Sequence, residues 1–89
     1  MENVSVIEEF KKLGYTIQEP TKTDKTYYFV KQELNNTKQI FITYGTKTAK
    51  IEVIKNYKTA TNLTNKEEYL IQSLIVEVLG LNEYSYGGE

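Results

Sequence analysis

The side chains that could do chemistry in this sequence are lysines, glutamates and tyrosines. The chain has eleven Lys, eleven Glu, one Asp and eight Tyr, and it has no Cys, His, Arg or Trp. Without Cys or His, the usual ligands of zinc, iron–sulfur clusters and haem are missing. Cysteine nucleophiles, imidazole acid–base catalysis and Ser–His triads are excluded as well. What remains is charge pairing, hydrogen bonding and aromatic packing, which favours a protein that works by binding.

Two pairs of glutamates are adjacent in the sequence, Glu8–Glu9 and Glu67–Glu68. Each pair is predicted to lie in a helix, where neighbouring side chains diverge by about 100° and do not face one another. They are therefore poor acid–base pairs, and no P-loop, G-x-G-x-x-G or H-E-x-x-H motif is present. We expect a protein that is not an enzyme and that uses no metal or cofactor.

The charges are segregated along the chain, although the net charge is only −1. Residues 1–19 carry −2, residues 20–66 carry nine lysines against three acidic residues for +6, and residues 67–89 carry five glutamates for −5. Such blocks can indicate a charged partner. The simpler interpretation is that lysines protect strand edges from association with other strands, and that glutamates form the solvent-exposed faces of the helices. The lysines in question are Lys22, Lys25, Lys47, Lys50, Lys55 and Lys58.

The ends of the chain are predicted to be helices. Residues 4–13 place apolar side chains at helical spacing. Residues 65–79 do so over a longer stretch, after a capping box of Thr64 and Glu67, and Gly80 is suited to end this helix. The apolar stripe of the second helix is Leu70, Ile71, Leu74, Ile75, Val78 and Leu79.

Four strands are predicted between the helices, separated by turn-forming residues. They cover residues 15–18, 27–34, 38–44 and 48–55. A two-residue turn at Gly45-Thr46 would place Ile42 opposite Ala49 and Ile40 opposite Ile51 on one apolar face.

The turn between the second and third strands has two interpretations. A two-residue turn at Asn35-Asn36 adds Tyr27 and Phe29 to the apolar face and pairs Glu33 with Lys38. A three-residue turn would instead add Tyr28 and Val30 to that face. We prefer the two-residue turn.

The sequence thus predicts an α+β domain in the order α-β-β-β-β-α. An antiparallel sheet of three to four strands would pack both helices on one face. Residues 1–82 would form this single domain, and residues 83–89 a flexible tail. No run approaches the roughly 20 apolar residues of a membrane span, and the N-terminus lacks a signal-peptide pattern. We expect a cytoplasmic protein without membrane contact.

The sheet face away from the helices is the first candidate binding site. It would carry Tyr28, Val30, Phe41 and Lys50. Aromatic side chains there fit a protein interface, and aromatics beside lysines also fit single-stranded nucleic acid. A third interpretation is cross-strand pairing that only stabilises the sheet. The lack of Arg disfavours nucleic acid, because Arg makes the bidentate contacts to phosphate and guanine.

The acidic C-terminal region is the other candidate. Glu67, Glu68, Tyr84 and Tyr86 combine carboxylates with phenol rings, as would a surface that occupies a site built for nucleic-acid phosphates and bases. The alternative is an ordinary solvated helix face followed by a mobile tail.

Two resemblances can be stated. The α-β-β-β-α outline resembles the double-stranded-RNA-binding domain, but that family needs a basic start to its second helix, where this chain has Asn65-Lys66-Glu67-Glu68-Tyr69. The opening stretch from Ile7 to Ile17, a short helix leading into Tyr-Thr-Ile, resembles the opening of small phage-encoded anti-CRISPR proteins. The size and composition of the chain resemble those of the same proteins. This second resemblance implies an inhibitor that binds a CRISPR effector nuclease.

The expectation from the sequence is a non-enzymatic protein-binding module. A phage or mobile-element inhibitor that covers a host defence protein is the preferred function, and a single-stranded nucleic-acid-binding protein is the alternative. The sequence does not decide whether the chain forms a homodimer.

Overall fold

The computed structural model of the chain describes residues 3–56, 58–60 and 63–87, with side chains for residues 6–56 and 63–87. The helices are α1 (Asn3–Lys12) and α2 (Asn65–Ser73), the second followed by a π-helical segment (Leu74–Val78). The strands are β1 (Thr16–Gln18), β2 (Thr26–Gln32), β3 (Thr37–Tyr44), β4 (Thr48–Lys55), β5 (Lys58–Ala60) and β6 (Glu83–Tyr86). The α+β class is confirmed.

The sheet is mixed and larger than predicted. Five strands lie in the order β1-β2-β3-β4-β5, each antiparallel to its neighbour, and β6 pairs in parallel with β4. Two strands share the outer edge of β4, since β6 pairs with Thr48–Ile51 and β5 with Val53–Lys55. The prediction of an antiparallel sheet of three to four strands was therefore wrong. Residues 83–86, which were expected to belong to a flexible tail, form β6.

The second hairpin has the predicted faces but a shifted register. The Gly45 amide donates to the Thr48 carbonyl at 2.9 Å, so the loop is formed by Thr46 and Lys47. Tyr44, not Ile42, lies opposite Ala49. Gly45 has no positive φ, so this turn does not depend on the conformational freedom of glycine. Because the shift is two residues, the same side chains still face the core.

The first hairpin shows the same pattern. The Glu33 amide donates to the Asn36 carbonyl at 2.8 Å, so the loop starts one residue earlier than predicted. Tyr27 and Phe29 face the core, as the two-residue turn predicts. Lys38, however, lies opposite Lys31 and not opposite Glu33.

Both helices pack on one face of the sheet around a single apolar core. Phe10 of α1 stacks on Phe29 of β2 with ring centroids 4.4 Å apart, and Tyr15 meets Phe10 edge-on at 5.6 Å. The fully buried large side chains are Phe10, Phe29, Ile40, Ile42, Ile51, Leu70, Ile71, Leu74, Ile75, Val6 and Val53. Burial of such side chains contributes roughly 1.5–3 kcal/mol each, so this face anchors the fold.

The second helix starts as predicted and ends differently. The Thr64–Glu67 capping box is present, and Gly80 has a φ of 72°. After Ser73 the helix widens, and the Leu79 amide donates to the carbonyl of Leu74 at 2.9 Å. A π-helical turn holds more residues than an α-helical turn. The apolar stripe therefore rotates, and Val78 and Leu79 are only partly buried.

Candidate functional site

The open face, defined here as the sheet face away from the helices, carries Tyr28, Val30, Phe41 and Lys50 as predicted. Tyr28 and Phe41 lie opposite each other on β2 and β3. Their rings are 5.3 Å apart in an edge-to-face arrangement. Val30 and Phe41 are partly exposed and Lys50 is exposed. An aromatic pair therefore stands in the middle of a sheet face that the helices leave uncovered.

A loop between β1 and β2 fixes one member of this pair. The Tyr28 hydroxyl donates to the Asp24 carboxylate at 2.8 Å. Asp24 is held in turn by two hydrogen bonds with Thr21, one from the Asp24 amide to the Thr21 hydroxyl at 3.1 Å and one from the Thr21 amide to the Asp24 carbonyl at 2.9 Å. The hydrogen bond to Asp24 is the main cause that raises the pKa of Tyr28. The sequence analysis missed Asp24, although Thr-x-x-Asp is a recognisable turn pattern.

The charges on the open face are mixed. Glu52 lies opposite Phe41, and Asp24 contacts Tyr28, so carboxylates flank both rings. Lys50 is the cation on the same face of β4, opposite Thr43. A polyanion would meet two negative charges beside the aromatic pair, whereas a protein surface with its own mixed charges would not be repelled.

Glu67 does not lie on the predicted acidic surface, because it is only 3% exposed. Its carboxylate accepts hydrogen bonds from the Tyr15 hydroxyl at 2.6 Å, the Lys38 ammonium at 2.7 Å and the Thr64 amide at 3.0 Å. Tyr15 and Lys38 are 3% and 5% exposed. We call Tyr15, Lys38 and Glu67 the buried ionic network. It joins the start of α2 to β3 and to the turn after α1, which is a structural role.

The surroundings of the buried ionic network set its protonation. Burial acts to raise the pKa of Glu67, but the hydrogen bonds from Lys38, Tyr15 and Thr64 outweigh it, and the pKa is lowered overall. Burial, and next the hydrogen bond to Glu67, raise the pKa of Tyr15. Glu67 is therefore a carboxylate and Tyr15 a neutral phenol at neutral pH.

Tyr84 and Tyr86 lie on β6, and Glu68 lies on α2. Tyr84 and Tyr86 pair with Ala49 and Ile51 of β4, so they lie on the helix side of the sheet. Burial, and next the negative charge of Glu68, raise the pKa of Tyr86. We call Tyr84, Tyr86 and Glu68 the tyrosine edge. Three of the four residues predicted at the acidic end are thus exposed, and the fourth, Glu67, is buried.

Several lysines of the basic middle form a row across the sheet. Lys31, Lys38, Lys55 and Lys58 are consecutive partners on β2, β3, β4 and β5. Like charges in direct opposition destabilise a sheet. Lys38 is compensated by Glu67, the Lys55 ammonium lies 3.6 Å from the Glu33 carboxylate, and Lys31 lies 5.6 Å from the centre of the Tyr15 ring. Lys31, Lys38 and Lys55 are thus engaged within the protein, and the side chain of Lys58 is outside the described residues.

Within the described part of the chain, no helix is long and apolar enough to cross a bilayer. The described residues also contain no group of three or more acidic, His or Cys side chains that could hold a metal ion. Comparisons with family models, with curated proteins and with solved structures find no match to this chain.

Proposed function

We propose that the protein binds another protein through the open face of its sheet. In this proposal it is a phage or mobile-element inhibitor that covers the working surface of a host defence protein, with a CRISPR effector nuclease as the first candidate. The observation that carries the binding proposal is the partly exposed Tyr28–Phe41 pair on a face that the helices leave uncovered. Aromatic side chains of this kind dominate the energetics of protein interfaces.

The proposed mechanism is occlusion by a pre-organised surface. Three hydrogen-bonded strands carry the face, and the bond from Tyr28 to Asp24 fixes one ring before any partner arrives. Side chains that are already ordered lose less conformational entropy on binding. Such a surface can block a partner without any chemical step.

A sheet-based nucleic-acid-binding protein is the competing function. The aromatic pair and Lys50 would suit base stacking and phosphate contact. Glu52 and Asp24 beside the same rings oppose it, because they would repel phosphates. The protein-binding proposal therefore accounts better for the charges on the open face.

The test compares two tyrosine variants in bacteria that carry an active CRISPR effector. Efficiency of plating of a targeted phage is measured with the wild-type chain, with Tyr28→Ala and with Tyr69→Ala. Tyr69 is 53% exposed on α2, and it serves as the matched control. We expect the wild type and Tyr69→Ala to restore plating, and Tyr28→Ala to fail while keeping a wild-type circular dichroism spectrum.

Two results would overturn the proposal. One is a lack of protection and of complex formation with every effector in a panel that covers the main CRISPR types. The other is salt-sensitive binding of short single-stranded oligonucleotides that a Tyr28→Ala/Phe41→Ala double variant loses. The second result would establish the nucleic-acid alternative.

A further inference from the structure

Glu52 is a partly buried carboxylate that the fold leaves without a partner. Three other acidic side chains in the described part of the chain are not exposed, and each of them contacts a lysine ammonium: Glu9, Glu33 and Glu67. Glu52 has no hydrogen bond or ion pair among the residues whose side chains are described. Taking a charge out of water is unfavourable unless an opposite charge compensates it. A cation supplied by another molecule would provide that compensation.

The position of Glu52 in the sheet brings its carboxylate next to the aromatic pair of the open face. Glu52 lies directly opposite Phe41 on the neighbouring strand, and the Cβ atoms of such cross-strand partners are about 4.5–5.5 Å apart. The Phe41 ring in turn contacts Tyr28. Aromatic rings attract cations through their faces. A cation bound by Glu52 would therefore gain a second favourable contact with the same surface.

The lysine on the same face of β4 does not serve as that cation. Lys50 precedes Glu52 by two positions, so both side chains point to the open face. The stem of Lys50 lies over the backbone of Gly87, in the space where any side chain at position 87 would begin. The Lys50 ammonium makes no ion pair with Glu52. Lys50 is thus packed against the end of the chain that follows β6, and Glu52 stays unpaired.

The charge of the open face argues against a second copy of the chain as the source of the cation. The strand positions of this face carry Lys50, Glu52 and Glu83, and Asp24 joins them through its contact with Tyr28. These are three carboxylates against one ammonium. Two copies packed through this face would double the negative excess, and like charges brought together across an interface repel. A partner with cationic side chains is complementary to the same surface.

We propose that Glu52 binds a lysine or arginine side chain of the partner protein, with the cation beside the Phe41 ring. The Glu52 carboxylate would accept a charge-assisted hydrogen bond, which is stronger than one between neutral groups. The inference rests on the proposed function, because the partner is the protein that covers the open face. It adds the class of side chain that this partner presents next to the aromatic pair.

Neutralisation of Glu52 separates binding from folding. The probe is the purified effector that the wild-type chain inhibits in the plating test, and the Kd is measured by calorimetry. Glu52→Gln should raise the Kd at least about tenfold, because the partner cation loses its counter-charge. The matched control is Glu68→Gln on α2, which packs on the other face of the sheet, and it should change the Kd by no more than about twofold.

The stability of the same variant should not fall. Glu52→Gln removes an unpaired, partly buried charge, so its urea midpoint should equal or exceed that of the wild type. A binding loss at unchanged stability is not expected of a residue that only supports the fold. Glu52→Lys should abolish binding, and a Lys→Glu or Arg→Glu change in the effector should restore it. The same effector change should not restore binding to Tyr28→Ala.

The outcomes distinguish this inference from the proposed function. If Tyr28→Ala loses binding while Glu52→Gln and Glu52→Lys bind like the wild type, the Glu52 site is wrong and the proposed function stands. If the wild-type chain binds no effector, the proposed function fails and the inference fails with it. Sedimentation that shows a dimer broken by Glu52→Lys would also overturn the inference, because the cation would then come from a second copy of the chain.

Discussion

The buried ionic network and the tyrosine edge both combine tyrosine with glutamate. Their glutamates, Glu67 and Glu68, are adjacent in one helix. Glu67 lies inside the protein with Tyr15 and Lys38, and Glu68 lies on the surface. One glutamate is 3% exposed and the other belongs to the exposed residues. The difference is a rotation of about 100° around the helix.

This comparison shows that burial, not residue type, separates the side chains that hold the fold together from those that face water. In the network, every bond to Glu67 replaces a bond to water, so loss of one partner leaves a charge that water cannot reach. At the tyrosine edge, water can replace any partner that is lost. The network should therefore be sensitive to substitution, and the edge should tolerate it.

The largest effect is expected for Lys38→Met. This change leaves the Glu67 carboxylate buried without its cation, and the free energy of unfolding should fall by about 3–5 kcal/mol. Urea denaturation followed by circular dichroism measures it, with the exposed Lys50→Met as the matched control. A loss below about 1 kcal/mol for Lys38→Met would show that the network is not a buried ion pair in solution.

A smaller loss is expected when both charges are removed together. Lys38→Met/Glu67→Met replaces the ion pair with apolar side chains, which is often close to neutral. Two costs remain: the lost capping bond to Thr64, about 1 kcal/mol, and the buried Tyr15 hydroxyl left without its acceptor, about 1–3 kcal/mol. The double variant should thus be more stable than Lys38→Met alone. If the two losses simply add, Lys38 and Glu67 are not coupled.

The next effect in order of size is expected from acid, which should weaken the buried ionic network. Because the pKa of Glu67 is lowered in the folded protein from an ordinary value of 4.5, its contribution to stability is complete above pH 4.5. That contribution is lost as the pH falls through the folded-state pKa. Urea midpoints measured from pH 7 to pH 3 should fall less steeply for Glu67→Gln than for the wild type. Parallel curves would contradict this assignment.

The smallest effect is expected at the tyrosine edge. Glu68→Gln should change the free energy of unfolding by no more than about 0.5 kcal/mol, as is usual for exposed positions. The measurement is the same urea denaturation. A loss comparable to that of Lys38→Met would mean that Glu68 also supports the fold, and the contrast between the two glutamates would disappear.

Alternation and helical spacing predicted which side chains face the core. Ile40, Ile42 and Ile51 were assigned correctly even though the strand partners moved by two residues, because a shift of two preserves the face. The exact register depended on turn geometry, and the glycine at position 45 suggested the wrong loop. Local sequence patterns therefore predict which face of the sheet a side chain lies on better than they predict which residue pairs with it.

The missed features depend on contacts between distant parts of the chain. The partner of Glu67 is Lys38, which lies 29 positions earlier, and no local pattern links the two. The Tyr-Ser-Tyr alternation at 84–86 suits a strand. The parallel pairing of this strand with β4, however, depends on the position at which the chain leaves α2. The placement of Tyr28, Val30, Phe41 and Lys50 on the open face was predicted correctly, because it follows directly from the strand alternation.

The parallel pairing of β6 with β4 also sets an order of assembly. The hairpins of β2, β3 and β4 close short loops, whereas β6 can reach β4 only across the intervening α2 segment. Long-range closure is slower, and contacts made last are commonly the first to open. β6 should therefore exchange its amide hydrogens ahead of the central strands.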